Sequence, residues 1–411
     1  MVKLVQAELR KSWKMHRFLM AVLCFLCFMG CSYAFDIHKG LAYHYQETPN
    51  VRLNYDVARN RFVELNTIVK FSPADQITPE IREKRDLWED TYNKIYRYLL
   101  LRQEYEGYTD RITQVAYDSA ASIYDMRTHA YYEGEFEETG ITLKQAKLEK
   151  EYYQYMLEHD IVMYENGNEP TVCNFLIYMF QNETMILFVI IAAFFLVDAI
   201  CSDFDGNCYT LVYTQPHSRI RMMCAKVISI LIMLTLSFVA AFVLFSPWLL
   251  FQHGFGYLDY PYIVGNEILS YGQFLGRIAL LAIMTLLFFA AVCVIAANVF
   301  KNTTNTLLLI AALLIVQYLV NMFFKVHLWY GWLPIFYLEP FEIVMGNYPL
   351  SSFACMGICL AFIIVLWLLF VKVIKWLDLK GSEALWFHLI PNAFCVKRSF
   401  GLRLYPLLLW H

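Results

Sequence analysis

The residues best suited to chemistry lie in one short polar segment, Asp203–Lys226, between two apolar runs. Asp203 and Asp205 precede Gly206; Leu211, Thr214, Pro216, Ser218, Arg219 and Lys226 follow. That order predicts a turn, a short amphipathic helix, a proline-broken turn and a new helix capped by Ser218. Arg219 and Lys226 are expected at the phospholipid headgroups. No catalytic set is present here. A short rigid helix flanked by charge makes a docking handle for a soluble partner, and a plain basic loop without a partner fits the same residues.

Elsewhere the chain lacks the groups an enzyme needs. It has no H-E-x-x-H pair, no G-x-S-x-G elbow and no G-x-x-x-x-G-K-[ST] loop. Without that last loop nothing cradles nucleotide phosphates, so any ATP is bound by a separate chain. Within the apolar runs, Asp198 lies near an interface and is expected to be wetted. Gln317 and Asn321, four residues apart, share a helix face and predict hydrogen bonding between helices. No string of carboxylates crosses an apolar run, which argues against a proton- or sodium-driven carrier. Cys24 and Cys27 form C-x-x-C inside an apolar helix, where packing is the expected role. His38 and His44 are too far apart in sequence for a pair on one helix face, and no metal site is expected.

These residues must be positioned by membrane helices. Of 411 residues, 59% are hydrophobic and 17% charged, with a mean hydropathy of +0.43; soluble domains carry about 25% charged residues. The apolar residues form continuous runs rather than alternating ones, which predicts helices and not a barrel. Six spans are expected: Phe18–Phe35, about Thr184–Cys201, Val227–Phe251, Ile278–Phe300, Thr306–Phe324 and Phe353–Val371. Span one is read as uncleaved. Lys and Arg gather at the N-terminus, after span two and after span six, which places both termini in the cytoplasm and residues 36–183 outside. Residues 36–183 carry a net charge of −10 and the remainder +7. With Cys173 as its lone cysteine, that segment holds no internal disulfide, which fits a bacterial cytoplasmic membrane. Helical periodicity predicts about three long helices there, over Pro79–Glu106, Arg111–Tyr132 and Leu143–Tyr164, the last begun by Thr142. Its many tyrosines suit a helical core, or a peptide or glycan ligand. Two loops without Lys or Arg, Gln252–Gln273 and Val326–Leu350, are aromatic and read as an interfacial belt; prolines 334 and 340 could instead break a re-entrant pair of short helices.

The expected organisation is an N-terminal helix over 1–17, span one over 18–35, an extracellular helical domain over 36–183, spans two to six over 184–376 with a coupling loop at 202–223, and a cytoplasmic tail over 377–411. The fold class is an all-α polytopic membrane protein. At this point the sequence resembles the permease subunits of ABC-2 type transporters. Asp205-Gly206, Leu211, Pro216-His-Ser218-Arg219 and Lys226 follow that family's order, and Val5–Lys11, with Glu8, Arg10 and Lys11, looks like its amphipathic elbow helix. The Asp203-Phe-Asp205 acids depart from the Glu-rich stretch commoner there. The resemblance implies the transmembrane half of an exporter for an amphipathic or hydrophobic peptide, lipid or drug. It implies pairing with a second permease, identical or homologous, amid membrane lipids. It also implies a separate ATP-binding subunit holding ATP and Mg, with no cofactor on this chain and no nucleic-acid partner. A membrane sensor whose outer domain binds a ligand, and an envelope enzyme or assembly factor, are the competing readings.

Overall fold

The computed structural model describes residues 1–34, 51–73, 76–104, 109–163, 171–181, 184–205, 218–265, 267–323 and 331–380. The chain begins with α1 (Val2–Lys14) and α2 (Arg17–Ser32), bent by 68° at a break where His16 takes a left-handed φ of 56°. With 16 residues, α2 is about 24 Å long at 1.5 Å per residue, against a hydrocarbon thickness of about 30 Å. Among the described residues, five other helices are long and apolar enough to cross a membrane. They are α8 (Thr184–Asp205), α9 (Arg219–His253), α10 (Tyr271–Phe300), α11 (Thr303–Phe323) and α13 (Ser352–Lys380). A sixth span arises only if α1 and α2 count together as one bent unit.

α9 starts eight residues before the expected Val227 and runs for 35 residues, about 52 Å and longer than the bilayer needs. Lys301 closes α10 in a left-handed conformation, and α11 starts two residues later, so these two helices form a tight hairpin. Buried Ala282, Ala290, Ala291 and Ala297 let neighbours approach α10 closely. Phe25, Phe188 and Phe238 bring α2, α8 and α9 together, with ring centroids 5.2–5.6 Å apart. Cys24 and Cys27, expected to pack, are exposed on α2, as is Cys31.

Between α2 and α8 the described residues of the inserted domain form four long helices where about three were expected: α3 (Val51–Phe71), α4 (Pro79–Glu104), α5 (Thr109–Thr128) and α6 (Leu143–Glu158). Thr142 and Gln145 form a reciprocal capping box at the start of α6. Ala58, Leu65, Trp88, Ile95, Met126 and Phe136 fill the domain's own core. On its surface Arg61 meets Glu64 and Glu135, and the Lys84 ammonium, hydrogen-bonded to Glu133, lowers that carboxyl below its ordinary pKa.

The fold is not purely α. β1 (Pro261–Val264) and β2 (Glu267–Ser270) make an antiparallel hairpin, with Pro261 opposite Ser270 and Val264 opposite Glu267. Gly265 supplies the positive φ its turn requires. Tyr260 and Tyr262 are buried here rather than standing in an interfacial belt, because the hairpin turns them into a second core. That core joins Tyr98, Tyr152 and Met156 of the inserted domain to Tyr262 and Leu269 of the hairpin. It continues to Phe274 and Ile278 of α10 and to Phe341 and Val344 of α12 (Pro340–Met345). The Tyr262 and Phe274 rings stack at 4.4 Å. α7 (Val172–Tyr178), capped by Thr171, is fastened to the same region: Val172 N and Cys173 N donate to the carbonyls of Gly254 and Phe255 at 3.3 and 3.1 Å. The Tyr271 hydroxyl donates to Cys173 O at 3.0 Å. The second aromatic loop folds as a 3-10 turn at Pro334–Phe336 followed by α12, with Trp332 left exposed.

Candidate functional site

The opposite end of the bundle, where α1, α8 and α9 meet, gathers the charged residues. α8 is apolar until its last turns, so Asp198 falls about two turns from its end and Asp203 within its last turn, where the span leaves the apolar layer. Lys226, two turns into α9, is 4% exposed. Its ammonium donates to the Asp203 carboxylate and to Ala199 O at 3.1 Å. Asp203 is 8% exposed and also faces Lys11 of α1 at 3.7 Å. One carboxylate thus holds a cation from each neighbouring helix. A second tie joins Arg17, at the start of α2, to Asp198 at 2.6 Å, a charge contact without an aligned hydrogen bond. Nearby, the Ser237 hydroxyl of α9 donates to Phe18 O at 3.5 Å.

The expected site residues divide accordingly. Asp203, Lys226, Lys11 and Asp198 converge on this junction. Lys226 does not sit among headgroups, because the Asp203 carboxylate draws it into the bundle. Asp198 is half-exposed yet paired, and so is more than wetted. Asp205 ends α8 and Arg219 opens α9. Ser218 is the residue before α9, but its side chain makes no capping hydrogen bond. Gly206, Leu211, Thr214 and Pro216 lie outside the described residues. On α1, Glu8 is half-buried and Arg10 is exposed. Sequence reasoning missed Arg17 as a site residue, taking it as the boundary of span one and one of the N-terminal bases; it directly follows His16, whose left-handed φ marks the break between α1 and α2.

Gln317 and Asn321 are not in this junction. Gln317 is 1% exposed, yet neither amide atom has a hydrogen-bond partner, and Asn321 Oδ1 also has none. The expected bond between helices is therefore absent within the described chain. Burying an unpaired amide costs about 1–3 kcal/mol. Gln317→Leu is accordingly expected to leave the thermal midpoint of the purified chain unchanged or to raise it by a few degrees. A fall in that midpoint would show that the amide is paired.

Between α8 and α11 runs an apolar groove of about 700 Å³, lined by residues such as Ile190, Phe194, Leu307, Leu314 and Tyr318. Among the described residues no group of His, Cys, Asp and Glu could hold a metal ion. No curated protein and no solved structure matches the chain. A family model described as ABC-2 family transporter protein matches residues 3–329, taking in α1, α2, the inserted domain, the Asp203 junction and α8 to α11. The chain belongs to the ABC-2 family of transporter membrane proteins.

Proposed function

We propose that this chain is the permease subunit of an ATP-driven exporter in a bacterial cytoplasmic membrane. In this reading both termini are cytoplasmic, the inserted domain is extracellular, and a separate subunit binds ATP and Mg. The observation that carries it is the Asp203 carboxylate, which stands at the root of segment 206–217 and is bound by Lys226 of α9 and Lys11 of α1. A push on that segment by a nucleotide-driven partner reaches α8 and α9 through one buried ion pair and reaches α1 through the other cation. The three helices then move together, as alternating access requires. The apolar groove between α8 and α11 suits an amphipathic or hydrophobic cargo, and a second permease, identical or homologous, completes the pathway beside it. Asp203, Lys226, Lys11, Arg17 and Asp198 transmit motion in this scheme; Asp205, Arg219 and the residues between them meet the partner.

The test is co-purification. The full chain expressed with its ATPase is expected to hold that subunit through size-exclusion chromatography, and Arg219→Glu or deletion of Thr210–Pro216 is expected to release it. A complex that survives both changes would remove the docking assignment. The second core, which fuses the inserted domain to the ends of α10 and α12, gives the sensor reading its support. Recovery of a histidine kinase in place of an ATPase would favour that reading.

A further inference from the structure

We propose that the outward face of α1 is a binding surface for anionic phospholipid headgroups. The helix packs one side on α9, with Ser12 buried and Leu4, Val5 and Leu9 partly buried. Lys3, Arg10 and Lys14 follow at steps of seven and four residues and share the face opposite Ser12. All three are exposed. The single acid of α1, Glu8, is half-buried on the packed side, so the outward stripe is purely cationic.

The edges on either side of the stripe set its depth. Trp13 is 63% exposed and stacks at 4.5 Å on Phe18, in the first turn of α2, so this edge of α1 faces the apolar layer from which α2 rises. Val2, 70% exposed, lies on the same edge. Lys11 lies beyond the stripe on the other side, against Asp203. The stripe therefore lies between a membrane-facing edge and the polar junction, at the level of the phosphates. From Lys3 to Lys14 it extends about 16 Å along the helix, enough to meet neighbouring headgroups. An acidic protein docked on the stripe would leave Val2 and Trp13 in water, whereas a bilayer buries them. Because the same helix carries Lys11, lipid charge held on the stripe fixes α1 beside the Asp203 junction. The inference rests on the proposed placement of α1 at the inner surface.

The experiment measures lipid retained by the full-length chain purified in mild detergent with equal phosphatidylglycerol and phosphatidylcholine. The wild type is expected to retain phosphatidylglycerol in excess. Charge-neutral Lys3→Gln, Arg10→Gln and Lys14→Gln should lower that retention by about fivefold per cation removed, with an unchanged thermal midpoint. Lys3→Arg with Lys14→Arg should keep it. Equal retention of the two lipids by the wild type, or no loss in the triple Gln variant, overturns the proposal. Loss of the ATPase subunit from the triple variant with lipid retention unaltered overturns it in favour of an acidic protein. Micelles have no sides, so this result does not depend on topology. Protease digestion of an N-terminal tag in inside-out and right-side-out vesicles tests topology separately.

Discussion

Asp203→Leu is expected to destabilise the chain more than Lys226→Met, and the double variant is expected to recover most of the loss. Removing one member of a buried ion pair costs about 3–5 kcal/mol, because the other charge stays behind without compensation. The two removals are not equivalent here. Without Asp203, the Lys226 ammonium keeps only the Ala199 carbonyl. Without Lys226, the carboxylate still faces Lys11 at 3.7 Å, with Lys11 44% exposed; a pair of that kind is worth about 0.2–1 kcal/mol. In Asp203→Leu with Lys226→Met both charges are gone and apolar side chains fill the space, an exchange often neutral or stabilising. Thermal midpoints of the four proteins in one detergent supply the double-mutant cycle. Additive losses would show that the two groups do not interact. Under the proposed exporter function the double variant should be stable yet poorly coupled, with ATP hydrolysis by the proposed partner subunit no longer raised by cargo, since a directional charge contact between α8 and α9 has been replaced by packing that can slide.

The membrane layout was legible because one physical rule dominates it: backbone in hydrocarbon must satisfy itself, and runs of about 20 apolar residues declare where it does. The ends of those runs were harder. α9 begins at Arg219, two turns before Lys226, which Asp203 of α8 holds, while hydropathy sees only the apolar portion. Asp203 and Lys226 were singled out from their order in the chain, but their pairing spans 23 residues and depends on two helices standing side by side. No local pattern shows that. α3 was readable and was missed. Tyr55, Ala58, Phe62 and Leu65 recur at steps of three, four and three beneath a dense cover of charge. The hairpin carries a weaker signal, since four-residue strands of Pro-Tyr-Ile-Val and Glu-Ile-Leu-Ser do not alternate cleanly. Its aromatic residues look like a membrane belt until the second core is seen to absorb them. Gln317 failed for the opposite reason: polarity in a span predicts a partner, and the described residues provide none.

Phe274→Ala is expected to loosen the inserted domain and the membrane bundle together, whereas Trp88→Ala loosens the domain alone. Both side chains are fully buried, and deleting a buried aromatic ring costs about 3–5 kcal/mol. Their surroundings differ. Trp88 packs on Phe136 within the core shared by α3, α4, α5 and α6, which contains no residue of a membrane helix. Phe274 stacks on Tyr262 at 4.4 Å and meets Phe341 edge-on at 5.6 Å. Its core reaches Tyr152 and Met156 on one side and Ile278 on the other. Hydrogen exchange of the full chain in detergent separates the cases. A loss of 3 kcal/mol raises exchange through the affected opening by about 100-fold. Phe274→Ala should raise it both in α6 around Tyr152–Met156 and at the Tyr271–Leu281 end of α10. Trp88→Ala should raise it across α4 and α5 and leave α10 unchanged. If Phe274→Ala leaves α6 protected, the contacts that anchor the inserted domain do not depend on Phe274. If both ends respond, the domain cannot turn freely above the bundle, and any tilt of α10 during transport carries the domain with it.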